Sequence, residues 1–212
     1  MNWYTIGSFT FPSTWAAVLI SFLITGVTLH FLFKKEQAAD WYSNVAFVFI
    51  VTWKFSVILF YFQMSIKHPM TILYFDGGIK GYWLAIIAVL IYLFYAKIKQ
   101  AQIIAVAWLM TVSVYELIYA LLENIPLWMT ILHVTGNILL FIMLLKKKQF
   151  SQWLIQIIIL FTAFQLFTYS LRGELLSIPV LTYITIALFL VVYTIIRERK
   201  TTTSKRGKNN QG

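Results

Sequence analysis

The sequence predicts an all-α polytopic membrane protein with seven transmembrane helices. Of its 212 residues 60% are hydrophobic and only 11% are charged, whereas an average soluble domain carries about 25% charged residues. The apolar residues form runs of roughly 18 or more, long enough to cross the ~30 Å hydrocarbon core. These runs lack the alternation of polar and apolar residues that is typical of barrel strands, so helices must satisfy the backbone in lipid.

Short polar segments separate the apolar runs and leave no room for a soluble domain. The first run lacks a positively charged leading segment and is too long for a signal peptide, so we expect it to be retained. Residues 1–200 are predicted to form a single seven-helix domain, and residues 201–212 a basic, disordered cytoplasmic tail. The predicted spans are 12–33, 43–63, 81–99, 101–122, 127–145, 152–171 and 177–196.

The cations alternate along the chain. Thirteen of the 17 Lys and Arg residues follow the first, third, fifth and seventh spans. The positive-inside rule then places the N-terminus outside and the C-terminus in the cytoplasm. An odd number of spans also requires the two ends to lie on opposite sides. We therefore expect a multi-pass protein of the plasma membrane. The net charge of +10 is therefore explained by orientation, and we expect no nucleic-acid partner.

Several classes of chemistry are excluded or unsupported by composition. The chain has no cysteine, which excludes disulfides, thiolate metal sites and cysteine nucleophiles. Its three histidines are scattered and do not show the spacing of a zinc site. HExxH, GxSxG and P-loop motifs are absent, so we expect no metal and no cofactor, and no catalytic motif is complete.

Charged residues inside the spans need a reason, because each costs roughly 2.5–3.5 kcal/mol on insertion scales. Lys54 lies roughly 14 Å from the outer end of the second predicted span, and Glu116 lies in the outer half of the fourth. One interpretation is that Lys54 lines a polar cavity and binds an anionic group near Glu116. The alternative is an ion pair between them that fixes helix packing. Arg172, at the outer end of the sixth span, is either an interfacial cation or a ligand of a lipid phosphate.

Polar residues of the outer half include two histidines. His133, near the outer end of the fifth span, and His68, in the 63–80 loop, are candidate general bases or ordinary interfacial hydrogen-bonding residues. Gly77 and Gly78 in that loop permit a sharp turn or the close approach of a ligand. The apolar centre of the loop is too short to span and is predicted to be re-entrant or interfacial.

Three further polar residues lie within spans. Asn137, Gln165 and Gln156 are expected to form hydrogen bonds between helices.

One stretch carries a family resemblance. The sequence HPMTILYFDGGIKG, which begins at His68, is similar to the His-Pro, short apolar piece and Gly-Gly of the prolipoprotein diacylglyceryl transferases. Lys54 stands where that family has an arginine. Gln165, Tyr169 and Arg172 occupy the positions of its Arg, Glu and Arg at i, i+4 and i+7. The resemblance implies seven spans, an external N-terminus, and the transfer of diacylglyceryl from phosphatidylglycerol to a prelipoprotein.

The chain also departs from this family. Ile79-Lys80-Gly81-Tyr82-Trp83 replaces the His-Gly-Gly-Leu motif that is implicated in catalysis. The Gly-Arg-x-Gly-Asn-Phe signature and the external domain are missing, and His133 replaces a family tyrosine. The resemblance therefore implies a diverged bacterial relative without the standard chemistry.

Three functions follow as expectations. The first is an outward-facing cavity for phospholipid or lipidated peptide, lined by Lys54, Arg172, Lys80 and His133, with Gly77 and Gly78 beside the ligand. The second is an active diacylglyceryl transferase-like enzyme of lipoprotein biosynthesis, with His133 or His68 as base. The third is a non-enzymatic membrane scaffold or partner subunit. The implied partners are phosphatidylglycerol and a prelipoprotein or lipoprotein.

Overall fold

A computed structural model describes residues 2–7, 9–32, 38–67, 77–96, 101–146 and 151–209. This part of the chain is helical except for a short hairpin near the N-terminus and the connecting turns. The hairpin consists of β1 (Trp3–Ile6) and β2 (Phe9–Pro12). The helices are α1 (Ser13–Leu32), α2 (Ala38–Phe60), α3 (Phe62–Lys67), α4 (Gly78–Tyr95), α5 (Ala101–Leu122), α6 (Leu127–Lys146), α7 (Ser151–Leu171) and α8 (Ile178–Asn209).

Seven of these helices, all but the short α3, are long and apolar enough to cross a membrane. The prediction of seven helical spans in a polytopic membrane protein is therefore confirmed, whereas the side on which each end lies stays a prediction. Three spans differ from the predicted ones by three or four residues. The second and third spans, Asp40–Phe60 and Gly78–Tyr95, each lie three to four residues before the predicted positions, and the seventh continues to Arg199 rather than to residue 196. Residues 68–76, which include His68 and the expected re-entrant piece, lie outside the described residues.

The chain divides into two compact units. The first unit comprises Met1–Leu32 and Gln100–Gly212, and the second comprises Phe33–Lys99. In the first unit α5 is the central helix, since it contacts α1, α6, α7 and α8. Every residue from Ile103 to Leu109 on α5 is buried. This explains why α5 is apolar around its whole circumference over these seven residues, as a helix segment surrounded by neighbours must be.

Helix α1 packs on α5 through one narrow face. Most residues of that face are small, and small side chains let two helices approach closely in lipid, where no hydrophobic effect drives them together. The buried positions recur every fourth residue: Ser13, Ala17, Ser21, Thr25 and Leu29.

The hairpin before α1 was not predicted from the sequence. Trp3 pairs with Pro12 and Ile6 with Phe9, and Gly7 adopts a positive φ of 62° in the turn. The Asn2 side-chain amide and the Tyr4 hydroxyl both donate to the Leu122 carbonyl, at 3.0 and 2.7 Å. The hairpin thus satisfies one of the carbonyls that a helix end leaves without an intrahelical partner.

In the second unit α2 and α4 pack closely around one serine. A methyl group added at Gly77 or at Gly81 would lie 2.0 Å from Ser56 Oγ. The Gly77 amide also donates to the Trp53 carbonyl at 3.5 Å. Gly77 therefore approaches a neighbouring helix, and its predicted contact with a ligand stays a prediction. Gly78 has a φ of 59° and makes the turn into α4.

The last helix is longer than a bilayer requires. At 32 residues α8 is about 48 Å long, against ~30 Å for the hydrocarbon core. It continues through Thr201 to Asn209, where disorder was expected to begin. Once a helix is nucleated, each further residue adds a hydrogen bond at little cost, so a polar tail can extend it.

Candidate functional site

Polar side chains of the first unit gather at the end that carries the hairpin, called here the hairpin end. Helices α5 and α7 end there, and α6 and α8 begin there. The arrangement follows from antiparallel neighbours joined by short connections, such as Glu123–Pro126 between α5 and α6.

Glu116 is the buried centre of this end. It lies six residues before the end of α5, about 9 Å along the axis, and has no exposed surface. Its Oε1 accepts hydrogen bonds from the hydroxyls of Tyr169 on α7, at 2.7 Å, and Tyr183 on α8, at 2.5 Å. Its Oε2 accepts a hydrogen bond from Arg172 Nη1 at 3.2 Å. Three helices are thus joined through one carboxylate.

Arg172 is the cation of this cluster. Its side chain is only 8% exposed, and its guanidinium lies 5.1 Å from the centre of the Tyr169 ring. Within the described part of the chain, its Nε is buried without a hydrogen-bond partner. A buried N–H without an acceptor costs roughly 1–3 kcal/mol, so Arg172 has a donor available for a ligand oxygen.

The backbone holds Arg172 in place. Gly173 adopts a φ of 73°, and the amides of Gly173 and Glu174 donate to the carbonyls of Ser170 and Tyr169, at 3.0 Å each. This pair of bonds, with a left-handed glycine, is the Schellman motif. Arg172 is consequently the last residue before a rigid reversal of the chain.

A second buried network lies between α6 and α7. His133 Nε2 donates to Gln165 Oε1 at 2.6 Å, Gln165 Nε2 donates to Asn137 Oδ1 at 2.9 Å, and Asn137 Nδ2 donates to His133 Nδ1 at 3.4 Å. Since an amide oxygen only accepts and an amide nitrogen only donates, the imidazole is neutral with its proton on Nε2. The expected hydrogen bonding of Asn137 and Gln165 between helices is confirmed, whereas Gln156, expected to do the same, is exposed on α7.

Removing one member of this ring is expected to destabilise the protein. Gln165→Leu leaves His133 Nε2–H and Asn137 Oδ1 without partners in a buried site. Buried hydrogen bonds between membrane helices average about 0.6 kcal/mol with a maximum near 1.7, so we expect a loss of about 1 kcal/mol in detergent unfolding. Gln156→Leu, on an exposed position of the same helix, is the matched control and should change nothing. Equal effects of the two changes would contradict the prediction.

The hairpin is attached to the same end through Glu123, in the turn after α5. Glu123 Oε1 accepts from the Asn2 amide at 2.6 Å and from Ser13 Oγ at 2.5 Å. Partial burial acts to raise the pKa of the Glu123 carboxyl, but these two hydrogen bonds, together with the positive N-terminal amino group, outweigh it and hold the pKa below its usual 4.5. The carboxylate form is therefore the one that holds the hairpin.

The attachment of the hairpin should depend on pH. Folding lowers the pKa of Glu123. The stabilisation that its carboxylate gives to the hairpin is therefore complete above pH 4.5 and is lost as the pH falls through the folded-state pKa. Hydrogen exchange of residues 2–12, corrected for intrinsic rates, should show constant protection from pH 7 to about 5 and weaker protection below. Glu123→Gln should lower protection at pH 7 and remove the dependence, whereas Glu198→Gln should alter neither. A wild-type hairpin insensitive to acid would contradict this account.

The predicted site residues fall into both units. Glu116, Arg172 and His133 belong to the first unit, and the candidates of the second unit are Lys54, Lys80, Gly77 and Gly78. Lys54 is half-buried on α2, and Lys80 is exposed in the first turn of α4. The predicted ion pair of Lys54 with Glu116 would join residues of different units and stays a prediction. The ion pair that the structure gives Glu116 is with Arg172.

Sequence reasoning missed two partners of Glu116. Nothing in the sequence distinguishes Tyr183 from the other tyrosines of the spans, and the signal at Tyr169 is that it stands where the resembled family has a glutamate. Both are nearly inaccessible, at 5% and 1% exposed. A tyrosine in a span usually lies near the membrane interface, so the only other signal is the helical spacing of Tyr169 and Arg172, three residues apart on one face.

Among the described residues, no group of three or more His, Cys, Asp or Glu could hold a metal ion. No family model, curated protein or solved structure matches the chain.

Proposed function

We propose that this chain is a multi-pass protein of the bacterial plasma membrane that binds a phospholipid headgroup at the hairpin end of its first unit. Arg172 contacts the phosphate in this proposal. The observation that carries it is an arginine whose side chain is only 8% exposed. It engages Glu116 with one nitrogen and, among the described residues, keeps a buried Nε–H without a partner.

The chemistry of the two groups supports a phosphate as the missing acceptor. Guanidinium presents its donors in a planar fork that matches the oxygens of phosphate. Glu116 holds the guanidinium at depth, since an unpaired arginine would extend toward water. Its own oxygens already accept three hydrogen bonds, so it is suited to orient Arg172 rather than to act as a base.

The distribution of cations supports an external headgroup. Thirteen of the 17 Lys and Arg residues follow the odd-numbered spans, and the positive-inside rule then puts the hairpin end on the outer side. A lipid of the outer leaflet could reach Arg172 there without crossing the membrane.

Mass spectrometry of phospholipid bound to the purified protein tests the proposal. Arg172→Gln is expected to carry about tenfold less bound phospholipid, because a charged hydrogen bond contributes roughly 1.5–3 kcal/mol. Arg172→Lys keeps the positive charge but not the planar set of guanidinium donors. Its amount of bound phospholipid should therefore lie between those of the wild type and Arg172→Gln. The matched control is Arg197→Gln, since Arg197 also lies 5.1 Å from a tyrosine ring, that of Tyr193, near the C-terminal end of the span in α8.

Two outcomes would contradict lipid binding by Arg172. One is unchanged lipid in Arg172→Gln while the variant stays folded by size-exclusion chromatography. The other is an equal loss in Arg197→Gln, which would indicate general damage to the annulus of lipid.

A non-enzymatic scaffold is the second candidate, and the closed hydrogen-bond networks favour it. Both imidazole nitrogens of His133 are in hydrogen bonds, so His133 does not offer a free lone pair to a substrate. A scaffold would retain no more phospholipid in the wild type than in Arg172→Gln. Diacylglyceryl transfer is tested separately by complementing a strain depleted of the authentic transferase.

A further inference from the structure

We infer that the headgroup bound at the hairpin end is zwitterionic, with an ammonium group that contacts Glu174 while its phosphate contacts Arg172. This inference rests on the proposed function and names the class of lipid. It differs from the phosphatidylglycerol that the family resemblance implies, because phosphatidylglycerol carries no positive charge.

The first support is the geometry of the loop after α7. Arg172 and Glu174 lie on either side of Gly173, and the Schellman hydrogen bonds fix the backbone of all three residues. A cation and an anion are therefore presented two residues apart on a rigid turn. Rigid presentation lowers the entropy that a ligand must remove on binding.

The second support is that these two charges do not neutralise each other. The ion pair of Arg172 is with Glu116, at 3.2 Å. Glu174 is exposed, and within the described residues its carboxylate makes no ion pair and no side-chain hydrogen bond. One ligand that offers both a phosphate and an ammonium group would complement the Arg172 Nε–H and the Glu174 carboxylate together.

The third support is the surrounding charge and its aromatic surface. Tyr119 lies within electrostatic range of Glu123, Glu174, Glu116 and Arg172, three carboxylates against one guanidinium. Its ring stacks on that of Tyr115, with centroids 5.8 Å apart and planes 10° from parallel. Aromatic faces attract ammonium groups, so this site favours a headgroup with a positive charge. The N-terminal amino group offsets Glu123 and Arg172 offsets Glu116, so a purely anionic headgroup would meet the Glu174 carboxylate, which has its own sign.

The test compares three phospholipids with identical acyl chains, titrated into the delipidated full-length protein and quantified by native mass spectrometry. Phosphatidylethanolamine and phosphatidylcholine should each bind about three- to fivefold more tightly than phosphatidylglycerol, as expected for one partly exposed ion pair. Glu174→Gln should reduce this preference to less than twofold. Glu198→Gln, the same change in the last turns of the span in α8, should leave the preference as it is.

Failures of the two proposals give different results. If Arg172→Gln weakens all three lipids but Glu174→Gln leaves their ratio unchanged, the zwitterionic headgroup is wrong and phosphate binding stands. Phosphatidylglycerol binding as tightly as the other two in the wild type would also overturn the inference. If Arg172→Gln weakens none of them, the proposed function itself fails.

Discussion

Glu116→Leu is expected to lower the free energy of unfolding by about 3–5 kcal/mol, the range for breaking a buried ion pair by removing one partner. The change leaves the buried guanidinium of Arg172 uncompensated. It also leaves the hydroxyls of Tyr169 and Tyr183 without their hydrogen-bond acceptor, and these side chains are only 1% and 5% exposed. Unfolding by SDS titration in mixed micelles, followed by circular dichroism, measures the loss.

A double-mutant cycle separates the ion pair from general damage. Arg172→Leu in the Glu116→Leu background removes the orphaned charge, so the double variant should be more stable than the sum of the single losses predicts. We expect a coupling of about 0.5–3 kcal/mol. Glu198→Leu is the control for loss of a carboxylate at an exposed position and should stay within about 0.5 kcal/mol of the wild type. Strict additivity in the cycle would contradict a direct interaction of Glu116 with Arg172.

Gly81→Ala is expected to cost about 1–3 kcal/mol, the usual penalty for overpacking a tight contact. The new methyl group would lie 2.0 Å from Ser56 Oγ and 3.3 Å from the Trp53 carbonyl oxygen. Because one neighbour is backbone of α2, the two helices must separate. Thermal unfolding in detergent, with the second unit followed by hydrogen exchange of residues 78–95, measures the effect.

A second change, at Ser56, is expected to relieve the clash that Gly81→Ala creates. Ser56→Gly removes the Oγ and Cβ atoms that the methyl group would meet, and of its three nearest neighbours only the Trp53 carbonyl oxygen remains. Gly81→Ala combined with Ser56→Gly should therefore be more stable than Gly81→Ala by itself. A double variant that is less stable than both single variants would show that the methyl group is excluded by something else.

The seven helices could be predicted from hydropathy because each must satisfy its backbone within one apolar run. The fourth, fifth and sixth spans were predicted with their boundaries, since charges or turn residues flank them closely. The hairpin was missed although Gly7 separates two segments rich in aromatic and β-branched residues, WYTI and FTF. That pattern is typical of strands, but a segment of about ten residues beside a long apolar run is too short to predict a hairpin by itself.

The site was less predictable than the helices. Hydropathy indicates that Glu116 needs a cation, but it does not distinguish Lys54, in the outer half of the second predicted span, from Arg172, at the outer end of the sixth. The choice depends on which helices are neighbours, and α5 packs against α7 in the first unit. The hydroxyl of Tyr183 contributes through the same tertiary contact, 67 positions away along the chain from Glu116.

That separation along the chain also sets an order of events during synthesis. Helix α5 enters the membrane before any of the three partners of Glu116 has been made, since they lie 53 to 67 residues later. At about 5–20 residues per second, translation needs about 3 to 13 s to supply them all. Over that interval a lone carboxylate in lipid would have to be sheltered by the insertion machinery. We therefore expect α5 to leave the translocon late, together with α7 and α8, rather than in the order in which the helices are synthesised.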